Sequence, residues 1–270
     1  MCAQKLPTPD PAQSADSQPI FEVVGLTKHF GGIRALTNVG FKIRKEDITC
    51  LIGPNGAGKS TFINVTAGRY RPDSGQIFFE GKNVAGLPDH AVAHRGLSRT
   101  FQLEELFTSL SVLENVMIGC HVRNSCGIFS SGFRLGSSRR QEQRVREEAF
   151  EFLKVIGLED RAMERVTRLP LGERKMLGVA RALAMKPKLI MLDEPAGGLA
   201  SHEVAKLTDM IYKLRENGLA FMIVEHNMPF VMAISKRIVV LNYGTKIADG
   251  PPEVIKEDPE VIKAYLGGSV

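Results

Sequence analysis

Hydrophobic positions along the chain fall into short runs divided by turn residues. Stretches 36–43, 48–52, 76–79, 188–192, 220–224 and 237–241 have strand length and apolar character, and each is bounded by polar or Gly/Pro positions. Ile20-Phe21-Glu22-Val23-Val24 reads as a further strand, expected at a sheet edge. Helical patterns begin after Gly58, near Ser111, near Ser138, at Gly172, after Ser201 and at Met228. Strands alternating with helices predict a parallel sheet with crossover connections, hence an α/β fold. The strands before residue 50 have no helix between them, so part of the fold is expected to be antiparallel. From 111 to 185 the pattern is almost wholly helical. Within it Val145, Ala149, Phe152 and Val155-Ile156 recur at helical spacing, and Gly157 is the expected C-cap. This predicts a helical lobe, about 103–186, set into the α/β framework. No internal repeat is visible.

Composition narrows the class. Of 270 residues, 43% are hydrophobic and 24% charged, enough for a folded core. No apolar run approaches the roughly 18 residues of a spanning helix. Residues 1–19 carry Pro7, Pro9, Pro11 and Pro19 among Ser, Gln, Asp and Ala, and read as a disordered tail rather than a signal peptide. The folded unit is expected over 20–270. Cys2, Cys50, Cys120 and Cys126 lack zinc-site spacing and fit a reducing compartment. The net charge of +5 fits scattered solvated Lys and Arg, and no nucleic-acid partner is expected.

The strongest chemical signal is Gly53-Pro54-Asn55-Gly56-Ala57-Gly58-Lys59-Ser60, followed by Thr61. It fits G-x-x-x-x-G-K-[ST] in full, after an apolar strand and before a helical pattern. Glycines let the backbone approach phosphate oxygens, and successive N–H groups and the helix start add positive potential. Lys59 would reach the β/γ-phosphates of a nucleotide, and the Ser60 hydroxyl would coordinate Mg²⁺.

A second site lies where Leu189-Ile190-Met191-Leu192 ends in Asp193-Glu194-Pro195. Carboxylates at the end of a buried strand sit where open α/β sheets bind ligands. Asp193 can hold Mg²⁺ and Glu194 can polarise an attacking water. The strand at 220–224 ends in Glu225-His226, which places His226 within reach of a γ-phosphate. Gln102 follows Thr100-Phe101 at the end of another short strand.

These elements, in this order, resemble the ATP-binding cassette (ABC) ATPases from about residue 20 onward. Gln102 stands at the Q-loop position and is implied to touch Mg²⁺, Asp193-Glu194 form the Walker B end and His226 the switch histidine. Phe30, 23 residues before Gly53, stands where the family stacks an aromatic on adenine. Leu26 to Gly32, Gly96 to Gln102, Leu113-Glu114-Asn115-Val116 and Val261 to Gly267 look like the LivG-type ATPase of branched-chain amino-acid importers. The resemblance implies an ABC-type fold: a RecA-like parallel core, an antiparallel β subdomain and a helical subdomain. It also implies ATP and Mg²⁺ as ligands, and a place on the cytoplasmic face of the cell membrane. The implied partners are two permease subunits, a LivF-like ATPase or a second copy of this chain, and an external solute-binding protein. Lipopolysaccharide-type export, urea or aromatic-acid uptake, and a non-transport ABC ATPase remain alternatives.

One segment departs from the family. Where relatives read L-S-G-G-Q, this chain reads Leu169-Pro170-Leu171-Gly172-Glu173. In the family this signature completes the ATP site of the partner cassette. Pro170 offers neither hydroxyl nor N–H, and Leu171 adds bulk. The site so completed is expected to be the weaker of two.

Overall fold

The computed structural model describes residues 18–100, 106–124 and 135–266. The chain begins with β1 (Phe21–Phe30), β2 (Ile33–Ile43), β3 (Ile48–Ile52), α1 (Lys59–Thr66), β4 (Ser74–Phe79), β5 (Lys82–Asn83), α2 (Asp89–His94) and β6 (Leu97–Arg99). Helices α3 (Val112–Asn124), α4 (Leu135–Ile156) and α5 (Leu171–Leu183) follow, with single 3₁₀ turns at Glu159–Arg161 and Val166–Arg168. Then come β7 (Leu189–Asp193), α6 (Ser201–Glu216), β8 (Ala220–Val224), α7 (Met228–Ile234), β9 (Arg237–Asn242), β10 (Thr245–Gly250), α8 (Pro252–Glu257) and α9 (Pro259–Leu266).

Two sheets form. The larger has the order β10-β9-β3-β8-β7-β6; its strands run parallel except for β10, which folds back on β9 as a hairpin. The smaller, β2-β1-β4-β5, is antiparallel. Together with the helices α3–α5 this is the architecture expected from the sequence.

The central strands are apolar throughout because both of their faces are covered. Along β7, Leu189 and Met191 enter a core shared with the antiparallel sheet and α1, while Ile190 and Leu192 enter the core under the helices. Strand β8 alternates likewise: Met222 joins the first core, Phe221 and Ile223 the second. The Phe41 and Phe62 rings stack with centroids 5.1 Å apart and pin α1 to the antiparallel sheet. Such a pair adds about 1 kcal/mol beyond its buried area. Cys50 is buried in β3, and burial pushes its thiol up to about 12. It is a packing group with no thiolate chemistry at neutral pH.

The structure corrects one strand and extends several elements. The opening strand, expected at an edge, is interior: β1 pairs with β2 on one side and β4 on the other. Its buried Phe21, Val23 and Leu26 give the apolar signal, but a hydrophobic pattern does not tell which backbone edges find partners. Helix α4 begins at Leu135 rather than near Ser138. Strand β10 has no fully buried residue and was silent in the pattern. Residues 1–17 of the expected tail, Phe101 and Gln102 lie outside the described residues.

Candidate functional site

Strand register brings three chain segments to one edge. Leu51 pairs with Val224, and Val224 pairs with Asp193. The chain therefore leaves β3 at Gly53, β8 at Glu225-His226 and β7 at Asp193-Glu194, side by side at the carboxyl end of the parallel sheet.

The loop after β3 turns tightly, with the Ala57 N–H donating to the Pro54 carbonyl at 3.1 Å. Ala57 is buried, while Asn55, Gly56 and Ser60 face solvent. Gly58 precedes α1 with φ of 98°, and a Cβ there would collide with the Ala35 carbonyl. Only glycine satisfies both demands. No side chain caps the start of α1, so its first N–H groups remain available to an anion. The Lys59 ammonium donates to the carbonyls of Gly53 at 2.7 Å and Pro54 at 3.0 Å. Burial pushes its pKa below that of an ordinary lysine, against the opposing pull of Glu194 and Asp193.

Across the edge, the Asp193 carboxylate lies 3.0 Å from the Arg99 guanidinium, and both side chains are about nine-tenths buried. Arg99 also donates to Asn64 Oδ1 at 2.6 Å. Glu194 sits in the left-handed region, φ 48°, and its carboxylate points to solvent. His226 Nδ1 lies 3.6 Å from Glu194 Oε1, so these two predicted residues are brought together. Glu225, next to His226 in the chain, is fully buried. Its carboxylate accepts from the N–H groups of Ala196 (2.7 Å), His226 (2.8 Å) and Asn227 (3.0 Å). Lys175, from α5, donates to the carbonyls of Glu194 and Gly197.

Arg99, Lys175 and Glu225 were missed in the sequence. Only Glu225 left a trace, as an acid closing a fully apolar strand.

Among the described residues no group of three or more His, Cys, Asp or Glu could hold a metal by itself. Ser60 and Asp193 supply hard oxygen donors, and Mg²⁺ uses such partial sets together with phosphate and water oxygens. The donor chemistry fits. Phe30 stands apart at the end of β1. Its ring is 41% exposed, with the Tyr70 ring edge-on at 5.3 Å and the Lys28 ammonium 5.3 Å away.

Residues 36–197, phosphate loop and carboxylate strand included, match the family model described as "ABC transporter". The chain belongs to the ABC transporter family. It is thus an ATP-hydrolysing cassette. Residues 245–270 match a second model, "Branched-chain amino acid ATP-binding cassette transporter". Two curated relatives are each 40% identical over 252 residues, covering 93% of this chain and 99% of the relative. They are the high-affinity branched-chain amino acid transport ATP-binding proteins BraF of Pseudomonas aeruginosa and LivG of Escherichia coli. A crystal structure of a transporter cassette in its ADP conformation superposes with TM-score 0.80 at 30% identity, over 93% of this chain and all of that one. A dimeric cassette in a post-hydrolysis state with ADP and Pi gives TM-score 0.73 at 26% identity, over 86% and 98%.

In this cassette residues 169–173 lead into α5. Leu169 is buried, and Pro170 is the N-cap residue, with no side-chain cap. Leu171 is exposed and Gly172 is packed against the Glu203 carboxylate. Glu173 pairs with Arg161 at 3.1 Å. The first intrahelical bond is from the Arg174 N–H to the Pro170 carbonyl, so the N–H groups of residues 171–173 precede the ladder.

Proposed function

We propose that this chain is the ATP-driven subunit of an importer for branched-chain amino acids. It works on the cytoplasmic face of the membrane against permease subunits. Its ATPase partner is a LivF-like cassette or a second copy of itself, and an external binding protein delivers the solute. The observation that carries the ATPase chemistry is the convergence of phosphate loop, Asp193 and the Glu194–His226 pair at one sheet edge. The solute rests on the names of the relatives and on the match at residues 245–270. Among the described residues no helix is long and apolar enough to cross a membrane, which fits a subunit docked on permeases.

The geometry supports the following roles. The α1 N-terminus and Lys59 hold the phosphates, and Phe30 offers an exposed face for adenine. Ser60 and Asp193 would hold Mg²⁺, which would supply charge neutralisation on the phosphates; the resemblance adds Gln102, which lies outside the described residues. Glu194 accepts a hydrogen bond from the attacking water, and His226 holds that carboxylate in place while reading the γ-phosphate. Lys59→Ala is expected to weaken Mg·ATP binding by at least tenfold in titration calorimetry, since it removes the one loop cation. Equal affinity in both proteins contradicts the site. In proteoliposomes carrying the complete transporter, ATP should drive uptake of leucine, isoleucine and valine. Uptake of urea or aromatic acids instead overturns the assigned solute.

The signature predicts two unequal ATP sites. Pro170 removes two donors of a kind worth roughly 3 kcal/mol each at a transition state. Pro170→Ser with Leu171→Gly, in a chain already carrying Glu194→Gln, should raise the ATPase rate of a complex whose partner keeps its catalytic glutamate. An unchanged rate shows that the N–H groups of residues 171–173 suffice.

A further inference from the structure

Glu194 is held in a conformation that side chains rarely adopt. Its φ of 48° is strained for a non-glycine residue and persists only if its surroundings enforce it. The turn 194–197 is closed by a long bond from the Gly197 N–H to the Glu194 carbonyl, 3.3 Å. Two charged side chains brace it. Buried Glu225 takes the Ala196 N–H together with those of His226 and Asn227. The Lys175 ammonium donates to the Glu194 carbonyl at 2.7 Å and the Gly197 carbonyl at 2.5 Å. The carbonyls at both ends of the turn thus converge on one cation, and no other side chain among the described residues donates to either. Such charge-assisted bonds are roughly twice as strong as neutral ones.

Lys175 lies on α5, four residues past Leu171. Its ammonium is partly desolvated: burial lowers its pKa while Glu225 and then Glu194 raise it. Both acids are therefore close enough to be felt.

We propose that Lys175 is a positioning residue for hydrolysis: by clamping the Glu194 and Gly197 carbonyls it fixes the left-handed turn that aims the Glu194 carboxylate, and it ties that carboxylate to the helix opened by the signature segment. The inference rests on the reading of Glu194 as the water-orienting group. Without the clamp, Glu194 relaxes toward ordinary backbone angles. Its carboxylate then swings off the line of attack while the phosphate loop, on another strand, is untouched. The loss therefore falls on kcat and not on nucleotide affinity.

The test uses the full chain in its assembled transporter. Lys175→Met is expected to lower kcat by about 10- to 100-fold, the cost of displacing a reacting group by about an ångström. KM for ATP and the calorimetric affinity of the chain for Mg·ATP should stay within twofold of wild type, roughly 0.4 kcal/mol. Lys175→Arg, which keeps charge and donors, should restore most of the rate. A merely structural lysine would instead lower thermal stability and affinity together, without rescue by Arg. Should the Met protein fail to fold, Lys175→Gln, one bond shorter, keeps one donor group without the charge, and the same kcat loss is expected of it. Unchanged kcat in a folded variant overturns the clamp. Glu194→Gln serves as the control. If that change leaves hydrolysis intact, it is the catalytic reading of Glu194 that fails. If Glu194→Gln slows hydrolysis and Lys175→Met does not, only the clamp fails. Combined, the two substitutions should be little slower than Glu194→Gln alone, because both act through one carboxylate.

Discussion

Glu194→Gln should leave Mg·ATP bound and slow hydrolysis by about 10²- to 10⁴-fold, the usual worth of a positioned base or water-orienting carboxylate. The substitution keeps the size of the side chain and the left-handed turn at 194, held by the Lys175 clamp and the Glu194 N–H bond to the Val224 carbonyl at 2.8 Å. What it removes is the negative charge that attracts a water proton and faces His226 Nδ1 at 3.6 Å. The phosphate loop lies on a separate strand and keeps its cation, so affinity for nucleotide should hold. Single-turnover hydrolysis of labelled ATP by the assembled transporter, beside calorimetric binding, separates the two effects. Normal turnover would falsify the role given to Glu194. A loss of binding as large as the loss of rate would show that the carboxylate supports the site rather than the chemistry.

Glu225→Ala is expected to be the most destabilising single change near the site. Its carboxylate is fully buried and takes three backbone N–H groups. Removing it leaves the buried Ala196 N–H without an acceptor, at about 1 to 3 kcal/mol, and the half-buried His226 and Asn227 N–H groups at less each. It also strips Lys175 of a nearby opposite charge. At roughly 2 to 4 °C per kcal/mol for a chain of this size, the melting temperature should fall by about 10 °C. Glu225→Gln retains one side-chain oxygen and should fall less. Scanning calorimetry of the two variants beside wild type provides the check. A shift within about 2 °C for the alanine protein would mean that water or a local rearrangement satisfies those amides.

What the sequence made legible follows from where its signals are strong. Strands β3 and β8 have the predicted limits, 48–52 and 220–224, because strands covered on both faces show as unbroken apolar runs with sharp polar ends. Once those runs were known to be parallel, the side chains just past them had to share one edge. Lys59 is legible from the phosphate-loop motif, and Asp193, Glu194 and His226 from their places at strand ends together with the family resemblance. Glu225 was passed over because it looked like one more polar residue after a strand. Its importance lies in three amides turning toward it, and nothing in residue type announces that. Arg99 was hidden by its short strand, where one charged residue beside Thr and Ser gives no periodic cue. Lys175 was hidden by distance: 19 residues separate it from Glu194, and helix α5 must cross the sheet edge before they meet. The interior place of β1 and the existence of β10 escaped for a related reason, since backbone pairing and half-exposed strands leave little mark on hydrophobic pattern.

The order of the large sheet has a consequence for how the protein is made. Strand β3, which carries the phosphate loop, is spelled out by residue 52, but its two neighbours in the sheet are β8 and β9, ending at 224 and 242. Gly244 then donates its N–H to the Ala57 carbonyl and accepts from Thr37, locking loop and first hairpin together. A growing chain thus carries its most recognisable motif unsupported until nearly the whole sequence has left the ribosome. At about 5 to 20 residues per second, that is on the order of ten seconds or more with apolar strand edges open. Nucleotide capture is therefore a late event of biosynthesis, and ATP present at that moment acts on the finished chain rather than as a template for it. Pulse-labelled chains arrested before residue 220 should ignore ATP, and those arrested far enough on to release β10 from the ribosome should bind it.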